Sequence, residues 1–110
     1  MKNLFLIIVA LVFISISCEK DDISDCVEQK IDEFANGDYA CETGASVKQY
    51  VFQSERVYVF DPGLCGADMA AGVMDNECNP LGQLGGIEGN TEINGDDFSE
   101  ATLINTIWEN

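Results

Sequence analysis

The sequence predicts a small α+β domain, in which an N-terminal helix packs on an antiparallel, meander-like sheet of about four strands, and disulfides stabilise the domain. Three observations carry this prediction. The chain of 110 residues has room for one domain. One helical pattern is followed only by strand patterns. Five cysteines, many for this length, point to a stapled fold in an oxidising compartment.

The first 17 residues predict a lipoprotein signal peptide. Lys2 provides a positive start, and Leu4 to Ile16 is an apolar run interrupted only by Ser15. This run is shorter than the roughly 20 residues needed to span a bilayer as a helix, but it suits a signal sequence. The small residue Ser17 precedes Cys18, as in a bacterial lipobox. We therefore expect Cys18 to carry the acyl chains (diacylglycerol and an amide-linked acyl group such as palmitate), which anchor the protein in the membrane.

Residues 18–25 predict an acidic tether, and residues 26–110 the folded domain. Glu19-Lys20-Asp21-Asp22 resembles the short acidic signal that sends lipoproteins of Bacteroidota-type bacteria to the outer face of the outer membrane. The expected location is therefore the outer membrane, with the domain displayed on the cell surface. An ordinary solvated linker would have a similar composition.

A helix is predicted from Ile23 to Gly37. Ser24 suits the N-cap, acidic residues fall in the first turn, and Asn36-Gly37 is a stop signal. The apolar side chains recur at i, i+4, i+7 and i+8, which makes one buried stripe; they are Val27, Ile31, Phe34 and Ala35.

The sheet is expected to begin with a hairpin. Val47–Phe52 and Arg56–Phe60 are rich in β-favouring residues, and the polar Gln53-Ser54-Glu55 separates them. Apolar side chains occupy both faces of these strands, so we expect the helix to cover one face and a loop or tail to cover part of the other.

The remainder predicts weaker strands. Gly72–Met74 and Leu81–Gly86 are the third and fourth candidates, and the glycine-dense stretch from Gly82 to Gly95 is expected to be a loop shaped by its backbone and not a packed element. Asp97–Glu100 resembles a capping box, which predicts a helical turn followed by an extended segment that buries Trp108. One continuous helix to Trp108 is the alternative.

Four cysteines remain once Cys18 is assigned to the lipid anchor, and an even set suits disulfide formation. Of the three possible pairings, local geometry favours Cys26 with Cys41, because Cys26 opens the helix and Cys41 lies in the loop that returns from its end. Cys65 and Cys78 bracket one connection between strands and are expected to form the second bond. Each bridge would close a loop of about 15 residues and stabilise the fold by roughly 3 kcal/mol. A zinc site is disfavoured because the spacings differ from paired C-x₂-C ligands.

Short stretches along the chain carry a resemblance to a known family. They combine cysteines with a Gly-Gly pair and a terminal Ile-Trp, and they are Val57–Phe60, Cys65–Asp68, Asp75–Cys78, Leu84–Ile87, Gly89-Asn90, Phe98 and Ile107-Trp108. In these residues the chain resembles a family of small lipoprotein domains of Bacteroidota-type bacteria, a domain of unknown function. The resemblance implies a compact α+β lipoprotein domain and brings no activity. The chain lacks two cysteines that some members have, one before the Gly-Gly pair and one before Phe98.

An oxygen-rich stretch near the C-terminus is the candidate for a calcium site. Its possible calcium ligands are Asn90, Glu92, Asn94, Asp96 and Asp97. In an EF-hand frame starting at Asn90, Gly95 falls at position 6 as required, but Asp97 takes an apolar position and the last acid comes one residue early. The pattern therefore predicts no metal and no other cofactor, and a solvated acidic loop is the simpler interpretation.

Charge and composition exclude several classes of function. The net charge of −15 disfavours binding to nucleic acid, which requires clustered Lys and Arg. The chain has no histidine, the commonest general base, so we expect no enzyme. The expected function is that of a surface lipoprotein that binds an unidentified protein partner. The alternatives are a small acidic inhibitor of a basic secreted enzyme and a calcium-stabilised accessory domain of the envelope.

Overall fold

The computed structural model describes residues 23–110. The predicted signal peptide, Cys18 and most of the acidic tether lie outside these residues. Helix α1 spans Asp25–Ala35, and seven strands follow it. They are β1 (Ser46–Phe52), β2 (Glu55–Asp61), β3 (Ala70–Asp75), β4 (Pro80–Gly85), β5 (Glu92–Ile93), β6 (Asp96–Asp97) and β7 (Thr102–Glu109). The α+β class is confirmed, since residues 23–110 form one α-helix and a five-stranded antiparallel sheet, one strand more than the roughly four expected.

The helix begins and ends where its caps predict. The Ser24 hydroxyl accepts a hydrogen bond from the backbone N–H of Val27, which satisfies one of the free amides of the first turn. Asn36 is the C-cap. Val27 is fully buried, whereas Ile31 and Phe34 pack at the edge of the core, so the predicted stripe faces the sheet.

The main sheet has the strand order β4-β3-β2-β1-β7, and every neighbouring pair is antiparallel. The first four strands form a meander, and β7 returns to pair with β1. In the β1–β2 hairpin, Phe52 pairs with Glu55, so the turn is the two residues Gln53 and Ser54. Both have positive φ (54° and 66°), the backbone of a type I′ turn, although neither is glycine.

Apolar side chains pack on both faces of the sheet, as the alternation predicts. On the helix face, Val27 of α1 packs with Val47, Tyr58 and Phe60. On the opposite face, the buried cluster comprises Phe52, Val57, Val59, Val73 and Ile93. That second face is covered by the segment between β4 and β7, with Phe98 and Ala101 packed against the cluster.

The glycine-dense stretch is more ordered than the sequence predicts. The short β5–β6 hairpin lies beside β4 and inserts Ile93 into the core, where it is 1% exposed. A Cβ at Gly82 would lie 3.0 Å from the Cδ1 atom of Ile93, so the missing side chain makes room for it. The expectation that this stretch is not a packed element is therefore wrong, since the β5–β6 hairpin packs Ile93 into the core.

The C-terminal segment follows the first of the two predictions. A 3₁₀ turn spans Phe98–Glu100, with the Asp97 carboxylate accepting from the Ser99 N–H at 2.8 Å. The chain then extends as β7, and the alternative of a helix to Trp108 is wrong. Trp108 is partly buried and packs edge-on against Phe34, with ring centroids 5.9 Å apart.

All four predicted cysteines form disulfides, but the predicted pairing is wrong. The bonds join Cys26 to Cys78 and Cys41 to Cys65. A helix rises about 1.5 Å per residue, so α1 carries the chain about 15 Å away from Cys26 before Cys41 is reached. The N-terminus of α1 instead lies at the β3–β4 turn, where the Ser24 hydroxyl donates to the Asn76 carbonyl at 2.6 Å.

The observed bonds constrain the chain more than the predicted ones would. They join residues 52 and 24 positions apart. Loops of those lengths correspond to roughly 4 and 3.5 kcal/mol in the chain-entropy model. One disulfide fastens the helix to the sheet, and the other closes the loop around the end of β2.

Candidate interaction edge

The calcium candidates Asn90, Glu92, Asn94, Asp96 and Asp97 lie together in and around the β5–β6 hairpin. Asn90 uses its side-chain amide to donate to the carbonyl of Gln83 on β4 at 2.6 Å and to the carbonyl of Glu92 at 2.8 Å. Its backbone N–H and C=O also exchange hydrogen bonds with Gly85. Asn90 thereby fastens the hairpin along the outer side of β4.

The carboxylates of this hairpin also make local hydrogen bonds. Asp96 accepts from the side-chain amide of Gln53 at 2.7 Å, which links the hairpin to the β1–β2 turn. Hydrogen bonds from Ser99 hold the pKa of the Asp97 carboxyl below its ordinary value. Within residues 23–110, no three acidic or cysteine side chains approach closely enough to form a metal site.

A buried polar chain runs beneath the N-terminus of α1. Gln49, 5% exposed, donates to the Tyr58 hydroxyl at 3.4 Å, and Tyr58 donates to the side chain of Asn76 at 2.8 Å. Burial raises the pKa of Tyr58, so the phenol remains protonated and able to donate. These groups connect the helix N-terminus to the sheet and satisfy one another.

Two surface clefts flank the hydrogen-bonded side chains of Gln49, Tyr58 and Asn76, and Arg56 lines both clefts. The larger has a volume of about 440 Å³ and is lined by Glu55, Asp75, Asn76 and Glu77 as well. Burial alone would raise the pKa of Asp75, but hydrogen bonds from Asn79 and from the Glu77 N–H outweigh it and lower the pKa. The Asp75 carboxylate thus shapes the β3–β4 turn.

The smaller cleft lies against β7. Its volume is about 270 Å³, and its walls are Ile23, Gln49, Arg56, Ile104 and Asn105. It combines apolar side chains with amide and guanidinium donors and contains no carboxylate among the described residues. The larger cleft is lined by three carboxylates, whereas this smaller cleft is lined by none from residues 23–110 and opens beside the exposed strand β7.

Strand β7 forms one edge of the sheet. One side pairs with β1, and within residues 23–110 no strand pairs with the other side. Thr102 to Thr106 are exposed, including two large apolar side chains, Leu103 at 52% and Ile104 at 48%. An unpaired edge presents a row of free backbone N–H and C=O groups to a partner.

Two irregularities in register distort β7. Against the consecutive residues Gln49 and Tyr50, β7 presents Asn105 and Leu103, which leaves Ile104 as an extra residue. Ile107 is extra in the same way between Thr106 and Trp108. Such bulges increase the local twist of a strand. Leu103 lies opposite Tyr50, on the face away from the helix, whereas Ile104 lines the small cleft on the helix side.

The tyrosines and the tryptophan of residues 23–110 do not form a shared surface patch. Tyr58 is in the core, Tyr50 packs edge-on against Phe98, and Trp108 lies against α1. The exposed Tyr39 uses its hydroxyl to hydrogen-bond the backbone of Ala70. Sequence reasoning missed the edge position of β7, although the absence of any charged residue from Thr102 to Trp108 was visible in a very acidic chain.

The comparisons with known proteins identify a family but no individual relative. No curated protein and no solved structure gives a significant match to the chain. Among residues 23–110, no helix has the length and hydropathy required to cross a bilayer. The family model described as a domain of unknown function, DUF6970, matches residues 33–110, from the last turn of α1 to the last residue of the chain. The chain therefore belongs to the DUF6970 family.

Proposed function

We propose that this protein is a lipid-anchored lipoprotein of the outer membrane, displayed on the cell surface, whose domain is a non-enzymatic binding module for a basic protein. One observation carries the choice of partner. The whole chain has 20 acidic and 5 basic residues. Residues 1–22 contain three of the acidic residues (Glu19, Asp21 and Asp22) and two of the basic ones (Lys2 and Lys20). Residues 23–110 therefore contain 17 acidic and 3 basic residues and carry a formal charge of −14. A field of this sign attracts cationic partners and repels anionic ones.

The polar groups of the domain support binding over catalysis. Asn90, Asp96 and Asp97 hold the β5–β6 hairpin, and Asp75 holds the β3–β4 turn. The chain has no histidine to act as a base at neutral pH. A binding role requires only a stable scaffold with an accessible surface, which two disulfides and a two-sided core supply.

The anchor is tested by substitution at Cys18. In the Cys18→Ala variant the thiol that would carry lipid is absent, so the protein should leave the membrane fraction and appear in soluble fractions. Protease added to intact cells should degrade the wild-type protein if it faces outward. Retention of Cys18→Ala in the membrane would contradict lipid anchoring. Full protection of the wild-type protein until the cells are lysed would contradict surface display.

The binding role is tested with a basic probe protein. Lysozyme should associate with the purified full-length protein at a rate that falls by at least about tenfold when salt is raised from low to above physiological concentration. An acidic protein of similar size and net charge serves as the control for unspecific adsorption. No measurable association with lysozyme and other basic proteins, even at low salt, would contradict the proposal.

The same charge favours a second function, inhibition of a basic secreted enzyme. A displayed inhibitor would protect the cell from cationic hydrolases, and its acidic surface would accelerate the encounter. The two functions differ in one measurement. An inhibitor lowers the activity of the bound lysozyme in proportion to occupancy, whereas a binding module leaves activity unchanged.

A further inference from the structure

The composition of β7 is typical of a strand that pairs on both sides, although within residues 23–110 it pairs only with β1. Its seven residues from Thr102 to Trp108 contain no charge, no proline and no glycine. Natural edge strands are usually protected by lysine, proline or short length, and β7 with its eight residues has none of these. Its two bulges are the only such protective device among the described residues.

Apolar side chains flank this edge on both faces of the sheet. Leu103 projects on the face away from the helix, and Ile104 projects on the helix face beside the small cleft. Both are about half exposed. A strand added to β7 would therefore gain backbone hydrogen bonds and contacts for alternate side chains above and below the sheet.

A second copy of the chain is a poor occupant for this edge. Each copy carries a charge of −14 within residues 23–110 alone, and two such bodies repel one another.

Charge complementarity instead favours a strand from a basic protein. Glu100 precedes β7 and Glu109 ends it, so the uncharged centre is bounded by a carboxylate at each end. An extended segment with apolar or β-branched residues in its centre and Lys or Arg at both ends would match this pattern. The cationic ends would find carboxylates, and the neutral centre would require no desolvation of charge.

We propose that the outer edge of β7 binds an extended segment of a basic partner protein by β-strand addition, with Leu103 and Ile104 contacting its central side chains. This inference rests on the proposed binding function and assigns it a site. Backbone pairing supplies much of the affinity in such complexes, and the flanking side chains determine which segments fit.

The test uses a synthetic peptide of about ten residues, with alternating Val and Thr in the centre and Lys at both ends, a length that matches β7. The full-length protein is compared with the double variant Leu103→Lys, Ile104→Lys. The matched control is Leu64→Lys, Ile87→Lys, which makes the same chemical changes at side chains that are 95% and 83% exposed in loops. Strand addition predicts a loss of at least about tenfold in affinity for the β7 variant and less than about threefold for the control.

N-methylated peptides separate strand pairing from charge attraction. Methyl groups on alternate amides along one edge of the peptide should reduce affinity by at least about tenfold, and methyl groups along the other edge by less than about threefold. Amide hydrogen exchange should slow at alternate residues of β7 when the peptide binds. Melting temperatures of both double variants should match the wild type, which shows that the fold is retained.

The outcomes distinguish the site from the function. If both double variants lose affinity equally, or both methylated peptides bind like the parent, binding depends on charge alone and the β7 site is refuted. If wild-type protein binds lysozyme but not the peptide, the site is again refuted while the binding function stands. If sedimentation detects a dimer that the β7 variant loses, the occupant is a second copy and this proposal is wrong.

Discussion

The two edges of the main sheet differ in whether their outward-facing backbone N–H and C=O groups are hydrogen-bonded or left unpaired. At the β4 edge, Pro80 lacks an N–H, Asn90 hydrogen-bonds the Gln83 carbonyl, and the β5–β6 hairpin lies alongside. At the β7 edge, no strand within residues 23–110 pairs with the outer side of β7. Pairing is blocked at the first edge, whereas the second edge is open as far as the described residues are concerned.

This difference separates residues that are buried in the fold from residues that are accessible at the proposed binding edge. Ile93, which belongs to the closing hairpin, is 1% exposed, whereas Leu103 and Ile104 on β7 are about half exposed. Substitutions at the β4 edge should therefore change stability. Substitutions at the β7 edge should change binding and leave stability nearly unaltered.

The largest effect is expected from Ile93→Ala. Removing this buried side chain leaves a cavity beside Phe52 and Gly82 and should lower the free energy of unfolding by about 2–5 kcal/mol. Urea denaturation monitored by circular dichroism measures the change. Ile87→Ala is the control, since Ile87 is 83% exposed and should change stability by less than about 0.5 kcal/mol. Equal stability of the two variants would mean that the hairpin does not close the β4 edge.

A smaller loss is expected at Asn90. Asn90→Ala removes the hydrogen bonds to the carbonyls of Gln83 and Glu92 and should cost about 1–2 kcal/mol. Asn90→Asp has nearly the same shape but directs an acceptor toward two carbonyl oxygens, so it should cost at least as much. The measurement is again urea denaturation at neutral pH. Full stability of Asn90→Asp would exclude the amide hydrogen bonds as the link between the hairpin and β4.

The turn that Asp97 caps before β7 should also contribute less to stability in acid. The pKa of Asp97 is lowered in the folded protein, so its contribution to stability is present above the ordinary Asp value of 3.8 and is lost as pH falls through the lower, folded value. Asp97→Asn retains a capping side chain without the titration, and its stability should decline less steeply than that of the wild type below about pH 4. Glu88→Gln in the neighbouring exposed turn is the control. Identical acid profiles for Asp97→Asn and the wild type would contradict the assignment.

The smallest change in stability is expected at the β7 edge. Leu103→Lys and Ile104→Lys place charged side chains where water already reaches, and they should each alter the free energy of unfolding by less than about 0.5 kcal/mol. Urea denaturation of the two single variants provides the measurement. Losses comparable with that of Ile93→Ala would show that β7 holds the fold, and the contrast between the two edges would disappear.

Local signals in the sequence predicted much of the architecture. Ser24 and Asn36 mark the ends of α1, the apolar alternation in β1 and β2 anticipates a two-sided core, and Asp97 marks the turn before β7. Each of these depends on neighbours within a few residues, so the sequence contains the information. The polar run Gln53-Ser54-Glu55 indicates the position of the β1–β2 turn to within one residue. It does not indicate the positive φ values of Gln53 and Ser54.

Features that join distant parts of the chain were not predictable in this way. The pairing of Cys26 with Cys78 depends on where the N-terminus of α1 meets the β3–β4 turn, and spacing along the chain pointed to other partners. The burial of Ile93 depends on a space left by Gly82 across a separate strand. The same glycine-rich stretch contains the exposed Ile87, and no periodic pattern distinguishes the buried Ile93 from it.

The sequence by itself determined the charge of the chain, its helix, its β-rich runs and the set of cysteines available for bonding, because composition and short-range periodicity set these properties. Only the tertiary structure decided the order of the strands, the partners of the cysteines and which edge of the sheet is covered. Those features arise from packing between elements far apart in sequence. The uncharged run from Thr102 to Trp108 was visible from the start, but it became a candidate interaction edge only once β7 lay at the end of the sheet.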